Sequence, residues 1–188
     1  MPYYGKNYRY FSPFSYYILN RGYVHHRVYN TLLTAYKTCE TTCPNVRFRL
    51  MECANPSGGN MWPHRTHQVG LSADFMVPKI RKGQPLRTMD HLGVWHYALA
   101  FDEKGRLSSR TSIDFESIGR HLLALDDAAR RNGLRIKKVI MKIDLKNDFF
   151  ATPSGKRVKA RGIYFARSLP KLVDEVHDDH YHVDFTLR

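Results

Sequence analysis

The sequence predicts an α+β fold: a mainly antiparallel sheet with flanking helices. Three observations carry this. Several short segments alternate strictly between apolar and polar residues, two longer ones place apolar residues at helical spacing, and strands and helices do not alternate regularly as a doubly wound fold requires. With 188 residues, 43% of them hydrophobic and 13% aromatic, the chain is sized for one buried core, so a single domain over residues 1–188 is expected.

A tyrosine-rich polar stretch opens the chain. Val24, Val28, Leu32, Ala35 and Cys39 then recur at spacings of three and four, which predicts a helix that Pro44 should end. Val46, Phe48 and Leu50 alternate with Arg47, Arg49 and Met51, the period of a half-buried strand. Asn55-Pro-Ser-Gly-Gly-Asn60 reads as a loop. Val69, Leu71, Ala73, Phe75 and Val77 face one way against Gly70, Ser72, Asp74 and Met76, a second strand. Gly93 to Phe101 reads as a third, with Asp102-Glu-Lys-Gly105 as its turn.

Phe115, Ile118, Leu122, Leu125 and Ala129 form an apolar helical stripe, with Asp114 as N-cap and Asn132-Gly133 as its stop. Val139, Met141, Ile143 and Leu145 mark another strand, and residues 147–170 read as a basic loop region punctuated by proline and glycine. The chain closes on a strand that turns Tyr181, Val183, Phe185 and Leu187 one way and His180, His182 and Asp184 the other.

Lys and Arg outnumber Asp and Glu by 30 to 17, a net charge of +13 that suits an anionic partner: nucleic acid, an acidic membrane surface or a carboxylate-rich wall. The basic residues are scattered in small groups, so charge alone does not choose among these, and a solvated surface accounts for it equally well. No apolar run of 18 residues exists, so no membrane span is expected. Met1 to Tyr10 lacks the basic-then-apolar pattern of a secretory signal. Cys39, Cys43 and Cys53 suit either one disulfide with a thiol left over or three buried thiols.

Histidines gather in two short segments, His64-Arg-Thr-His67 and His177-Asp-Asp-His180-Tyr-His182. Residues two apart on a strand share a side, their Cα atoms roughly 6 to 7 Å apart, so His180 and His182 project together. Asp74 lies on the polar side of its own strand. If the two strands are neighbours with their apolar faces on one core, Asp74 and His182 converge on the other side, and His67, in the loop entering the Asp74 strand, can reach the same point. Two imidazoles and one carboxylate make a three-ligand set that suits one Zn²⁺ and leaves a fourth position for water, as catalytic sites do. His180 is then placed for proton transfer or for stabilising an anionic intermediate. The helix-borne His-Glu-x-x-His signature is absent.

His64-Arg-Thr-His67-Gln-Val-Gly-Leu-Ser-Ala-Asp74, preceded by Gly58-Gly59, resembles the first metal motif of the penicillin-insensitive murein endopeptidases, and His177-Asp-Asp-His180-Tyr-His182-Val resembles the second. These enzymes belong to the wider group of lysostaphin, D-Ala-D-Ala metallopeptidase and hedgehog-like folds. The resemblance implies zinc ligands at His67, Asp74 and His182, a catalytic histidine at His180, and active-site support from His177, with His64 toward the substrate. It implies that residues 46–188 are the catalytic core of a single zinc peptidase domain and residues 1–45 an N-terminal extension and helix. It further implies hydrolysis of peptidoglycan cross-links, at the bond from D-alanine to diaminopimelate, in the periplasm or outside the cell. A D-Ala-D-Ala carboxypeptidase and a phage-type endolysin would use the same metal geometry. From another class, a basic nucleic-acid-binding module could close a structural zinc with Cys39, Cys43, Cys53 and His64, but their spacings do not match common fingers and the His-x-His strand is left unexplained; nucleic acid is therefore not the expected partner.

Overall fold

A computed structural model describes residues 1–61, 66–87 and 99–188. The main sheet has five strands: β1 (Tyr8–Tyr10), β2 (Phe48–Leu50), β3 (Ser72–Met76), β9 (His180–Leu187) and β8 (Leu134–Ile140), in that spatial order. β1 and β2 run parallel and the other pairs antiparallel. A smaller four-stranded antiparallel sheet is made of β5 (Gln84–Leu86), β4 (Lys79–Arg81), β7 (Thr111–Ile113) and β6 (Arg106–Ser108). The fold is α+β with mostly antiparallel pairing.

Two long helices cover the apolar side of the main sheet. α1 (His26–Thr42) starts on the His25 side chain, which accepts from the Arg27 amide at 3.3 Å, and α2 (Phe115–Arg131) starts on Asp114, whose Oδ1 accepts from the Ser117 amide at 3.0 Å. α2 ends at Asn132, and Gly133 follows at φ +69°, a left-handed turn that glycine takes without strain. Phe48 and Phe75 of the sheet meet His121 of α2 at ring separations of 4.7 and 4.9 Å, while Tyr8 stacks on Tyr36 of α1 at 4.3 Å. Those aromatics are buried, and truncating one such as Phe75 to alanine is expected to cost about 3–5 kcal/mol.

Several expected elements are revised. The strand expected from Val139 to Leu145 lies earlier, at β8. Its register with β9 ends at Ile140, and Leu145 opens α3 (Leu145–Ala151). Residues 147–170 are not one loop: α3 is followed at once by α4 (Pro153–Ala160). Pro153 sits at the first helical position, where its missing N–H costs nothing, and Thr152 caps the Gly155 amide at 3.0 Å. α4 packs on α2 because Glu116 accepts from both the Ser154 amide and its hydroxyl, at 2.9 and 2.7 Å, and because Gly119 has no side chain: a Cβ there would come within 2.6 Å of the Ser154 Cβ. A short α5 (Lys171–Glu175) precedes β9. Val69 stands outside β3 and is exposed, and β3 is buried on both sides rather than one. The turn at Asp102–Gly105 is present, closed by the Gly105 amide on the Asp102 carbonyl at 2.9 Å. The strand expected from Gly93 falls, up to residue 98, outside the described residues.

The first residues are woven into the main sheet through β1, and a π-helical turn at Phe14–Ile18 follows. The three cysteines are buried thiols.

Candidate metal centre

The side of the main sheet away from α1 and α2 carries the polar residues. In the β3–β9 register Asp74 stands directly opposite His182, Met76 opposite His180, and Ser72 opposite Asp184. Strand alternation that turns Phe75 and Tyr181 onto the helices therefore turns Asp74, His180, His182 and Asp184 the other way. His67 comes from the preceding loop, which Gly70 anchors at φ +70°. A Cβ on Gly70 would lie 2.5 Å from the His25 nitrogen, and its carbonyl accepts from the His25 amide at 2.9 Å.

His67, Asp74 and His182 are all buried, at 1%, 3% and 4% exposure, with one ligand atom of each lying within 4.8 Å of the others. The hydrogen bonds around them decide which ring atoms meet. His67 Nδ1–H donates to the Cys53 carbonyl at 2.6 Å. A carbonyl can only accept, so Nε2 of a neutral His67 ring carries its lone pair inward. His182 Nε2–H donates to Asp184 Oδ1 at 2.7 Å. Its Nδ1 then faces Asp74 Oδ1 at 2.7 Å and His67 Nε2 at 3.2 Å, and His67 Nε2 lies 3.3 Å from Asp74 Oδ2.

Two nitrogen lone pairs and a carboxylate turned on one another in a buried site repel unless a cation joins them. A proton serves in part. Burial opposes charge on the His182 ring, but the Asp74 and Asp184 carboxylates outweigh it and raise its pKa to about 9. Burial likewise works against the Asp74 charge, and the His67 and His182 rings overcome it, holding that carboxyl well below its usual range. A metal ion could join the same three atoms, and each histidine already commits its other nitrogen to a fixed acceptor, the arrangement that orients metal-binding imidazoles. The group could hold a metal ion, and it is the single such group of His, Cys, Asp and Glu among the described residues.

His180 lies beside this group and is not part of it. Its Nδ1–H donates to Asp179 Oδ1 at 2.6 Å, and its ring lies 4.5 Å from that of His177. Burial disfavours a charged His180, but the Asp179 bond and the field of Asp74 prevail and raise its pKa. His177 goes the other way: burial, with the neighbouring His180 charge, lowers its pKa to about 4. The pair thus combines a ring ready to carry a proton with one kept neutral. The structure brings together His67, Asp74 and His182, and His180 with His177; His64 lies outside the described residues.

Sequence reasoning gave Asp184 no role, yet it fixes the His182 tautomer while also accepting from the Ser72 hydroxyl at 2.7 Å and pairing with Lys138 Nζ at 3.1 Å. The signal was present as His182-Val-Asp184, two polar residues on one side of one strand. Asp179 and the Cys53 carbonyl were missed as well, the second because a backbone oxygen leaves no trace in a sequence pattern. No protein-family model matches the chain, and no curated protein is found to match it.

Proposed function

We propose that the chain is a zinc-dependent peptidase that hydrolyses the peptide cross-links of peptidoglycan, at the bond from D-alanine to diaminopimelate, outside the cytoplasmic membrane. The observation that carries this reading is the convergence of His67 Nε2, Asp74 and His182 Nδ1, with the remaining nitrogens tied to Cys53 and Asp184. Two imidazoles and a carboxylate suit Zn²⁺ and leave it an open coordination position. Bound there, zinc would supply a Lewis acid for a peptide carbonyl and a water acidic enough to attack at neutral pH.

The chain's own residues supply the rest. Asp184 holds the His182 ring in the tautomer that presents Nδ1. Asp179, on His180 Nδ1, leaves His180 Nε2 as the atom that takes up and returns a proton during peptide cleavage. His177, neutral, packs on that ring and limits its rotation. The net charge of +13 suits a substrate rich in free carboxylates, and no helix among the described residues is long and apolar enough to cross a membrane.

Mass spectrometry of purified peptidoglycan sacculi after incubation with the protein tests the reading. Cross-linked dimers should decline in favour of monomers whose masses place the cut between D-alanine and diaminopimelate, and a chelator should stop the change. Release of terminal D-alanine alone would make the chain a carboxypeptidase, and no release at all would remove the peptidase assignment.

A further inference from the structure

The N-terminal region carries a surface that the metal centre does not explain. Nine of the twelve tyrosines lie at or before position 36, and the first 39 residues hold five basic side chains and no acidic one. A groove of about 460 Å³ opens there, lined by Tyr3, Tyr4, Tyr8, Arg9, Tyr17 and Arg47. Tyr4 and Tyr17 are 72% and 60% exposed. Tyr3 is fixed between them and the fold, its ring 5.2 Å from Tyr17 and 5.1 Å from Tyr16, with the Arg9 guanidinium 5.1 Å over its face. Among the described residues, no carboxylate pairs with Arg9 or Arg47.

The groove lies at the β1 edge of the sheet whose other strands carry the metal centre. Tyr8 and Phe48 are paired in register and pack toward Tyr36 of α1. Arg9, between Tyr8 and Tyr10 of β1, alternates to the other side, which Asp74 and His182 share, and Arg47 lies just before β2. From β1 through β2 and β3 to β9 is three strand spacings, so Arg9 stands roughly 14 Å across the sheet from His180, with His182 two residues further along that strand. A polymer whose cross-link lies at the metal centre is long enough to reach the groove.

We propose that this groove binds a sugar polymer bearing carboxylates: an uncut stretch of the peptidoglycan strand whose cross-link lies at the metal centre. The proposal rests on the peptidase reading above. Exposed tyrosine faces stack on the apolar faces of sugar rings, phenol hydroxyls meet sugar hydroxyls, and Arg9 and Arg47 supply positive charge for the carboxylates of the stem peptides, which a neutral glycan lacks. A lipid surface fits less well, because the site is concave and its lining is phenolic and cationic, while the exposed aliphatic residues Ile18 and Leu19 lie outside it.

The test uses the full chain and soluble, uncross-linked glycan strands that keep their stem peptides and so offer no cross-link to cut. Wild type should bind them with an affinity that weakens as salt rises. Tyr4→Ala/Tyr17→Ala and Arg9→Gln/Arg47→Gln should each weaken binding about tenfold or more, the loss typical of aromatic and arginine anchors. Both variants should keep wild-type metal content and melting temperature. Strand binding that is lost in the variants supports the groove whether or not the protein cuts sacculi, so the two readings fail separately. Equal strand binding by wild type and either variant overturns the proposal. So does binding to phosphatidylglycerol vesicles, sensitive to the same substitutions, with no binding to strands.

Discussion

Asp184→Ala isolates the part of the metal centre that the sequence did not announce. Asp184 touches no metal-facing atom; its Oδ1 takes the His182 Nε2–H at 2.7 Å, and burial of the carboxyl is outweighed by the bonds from His182, Ser72 and Lys138, which hold it ionised far below its usual range. A hydrogen bond to a charged group contributes about 1.5–3 kcal/mol. Without it, the tautomer that turns Nδ1–H into the site competes with the one that offers a lone pair. The expected loss is about 10- to 100-fold in metal affinity, or about 1.4–2.7 kcal/mol. Competition against a chromophoric chelator at neutral pH measures it. Asp184→Asn, which keeps an acceptor oxygen, should fall between wild type and Asp184→Ala. Lys138→Ala removes only the partly exposed ion pair at 3.1 Å and should cost no more than about fivefold. If Asp184→Ala holds zinc as tightly as wild type, or loses no more than Lys138→Ala, the claim that Asp184 orients His182 is wrong.

Three further outcomes are expected. His180→Ala should keep its zinc and its fold while muropeptide release falls by about 10²- to 10⁴-fold; metal analysis and release assays on one preparation check this, and a variant that loses zinc would make His180 a ligand. The metal-free protein should lose stability as pH rises. The His182 pKa, raised to about 9 from the ordinary 6.5, contributes fully below about pH 6.5 and is lost through about pH 9, a change on the order of 3 kcal/mol. The His177 pKa, lowered to about 4, gives an opposite limb as pH falls below about 6.5, joined below the usual carboxylate range by the lowered Asp74 pKa, and melting curves of chelator-treated protein should show a maximum near pH 6.5 and a decline toward pH 9. Gly119→Ala should destabilise the fold by about 1–3 kcal/mol, because the new Cβ would stand 2.6 Å from the Ser154 Cβ where α2 meets α4; a melting temperature unchanged from wild type would contradict that packing.

What the sequence made legible follows the period of its segments. Asp74 and His182 could be assigned to one side of adjacent strands because alternation is strict around both, and the register then sets them opposite each other. The helices α1 and α2 declared themselves by long apolar stripes and by Asp114 and Gly133 at the ends of the second. The helices α3 and α4 did not, since 7 and 8 residues give too few turns for a stripe. Pro153 and Gly155 there read as loop punctuation, although one opens a helix and the other lies buried inside it. The smaller sheet stayed hidden for a similar reason: its strands are three residues each, shorter than any alternation can establish. The polar side of β3 could be read as a candidate site but not as a buried one, because nothing local marks the Cys53 carbonyl and Asp184 as the atoms that cover and satisfy it; those contacts come from distant parts of the chain.

The most direct test of the account is muropeptide release by chelator-stripped protein as zinc is added back, for wild type beside Asp74→Ala. Wild type should regain activity in step with zinc and level off at about one ion per chain, while Asp74→Ala neither retains the ion nor releases muropeptides. Full recovery of activity in Asp74→Ala, or a wild type that fills with zinc and leaves every cross-link intact, would contradict the assignment of His67, Asp74 and His182 as the ligands of a catalytic metal.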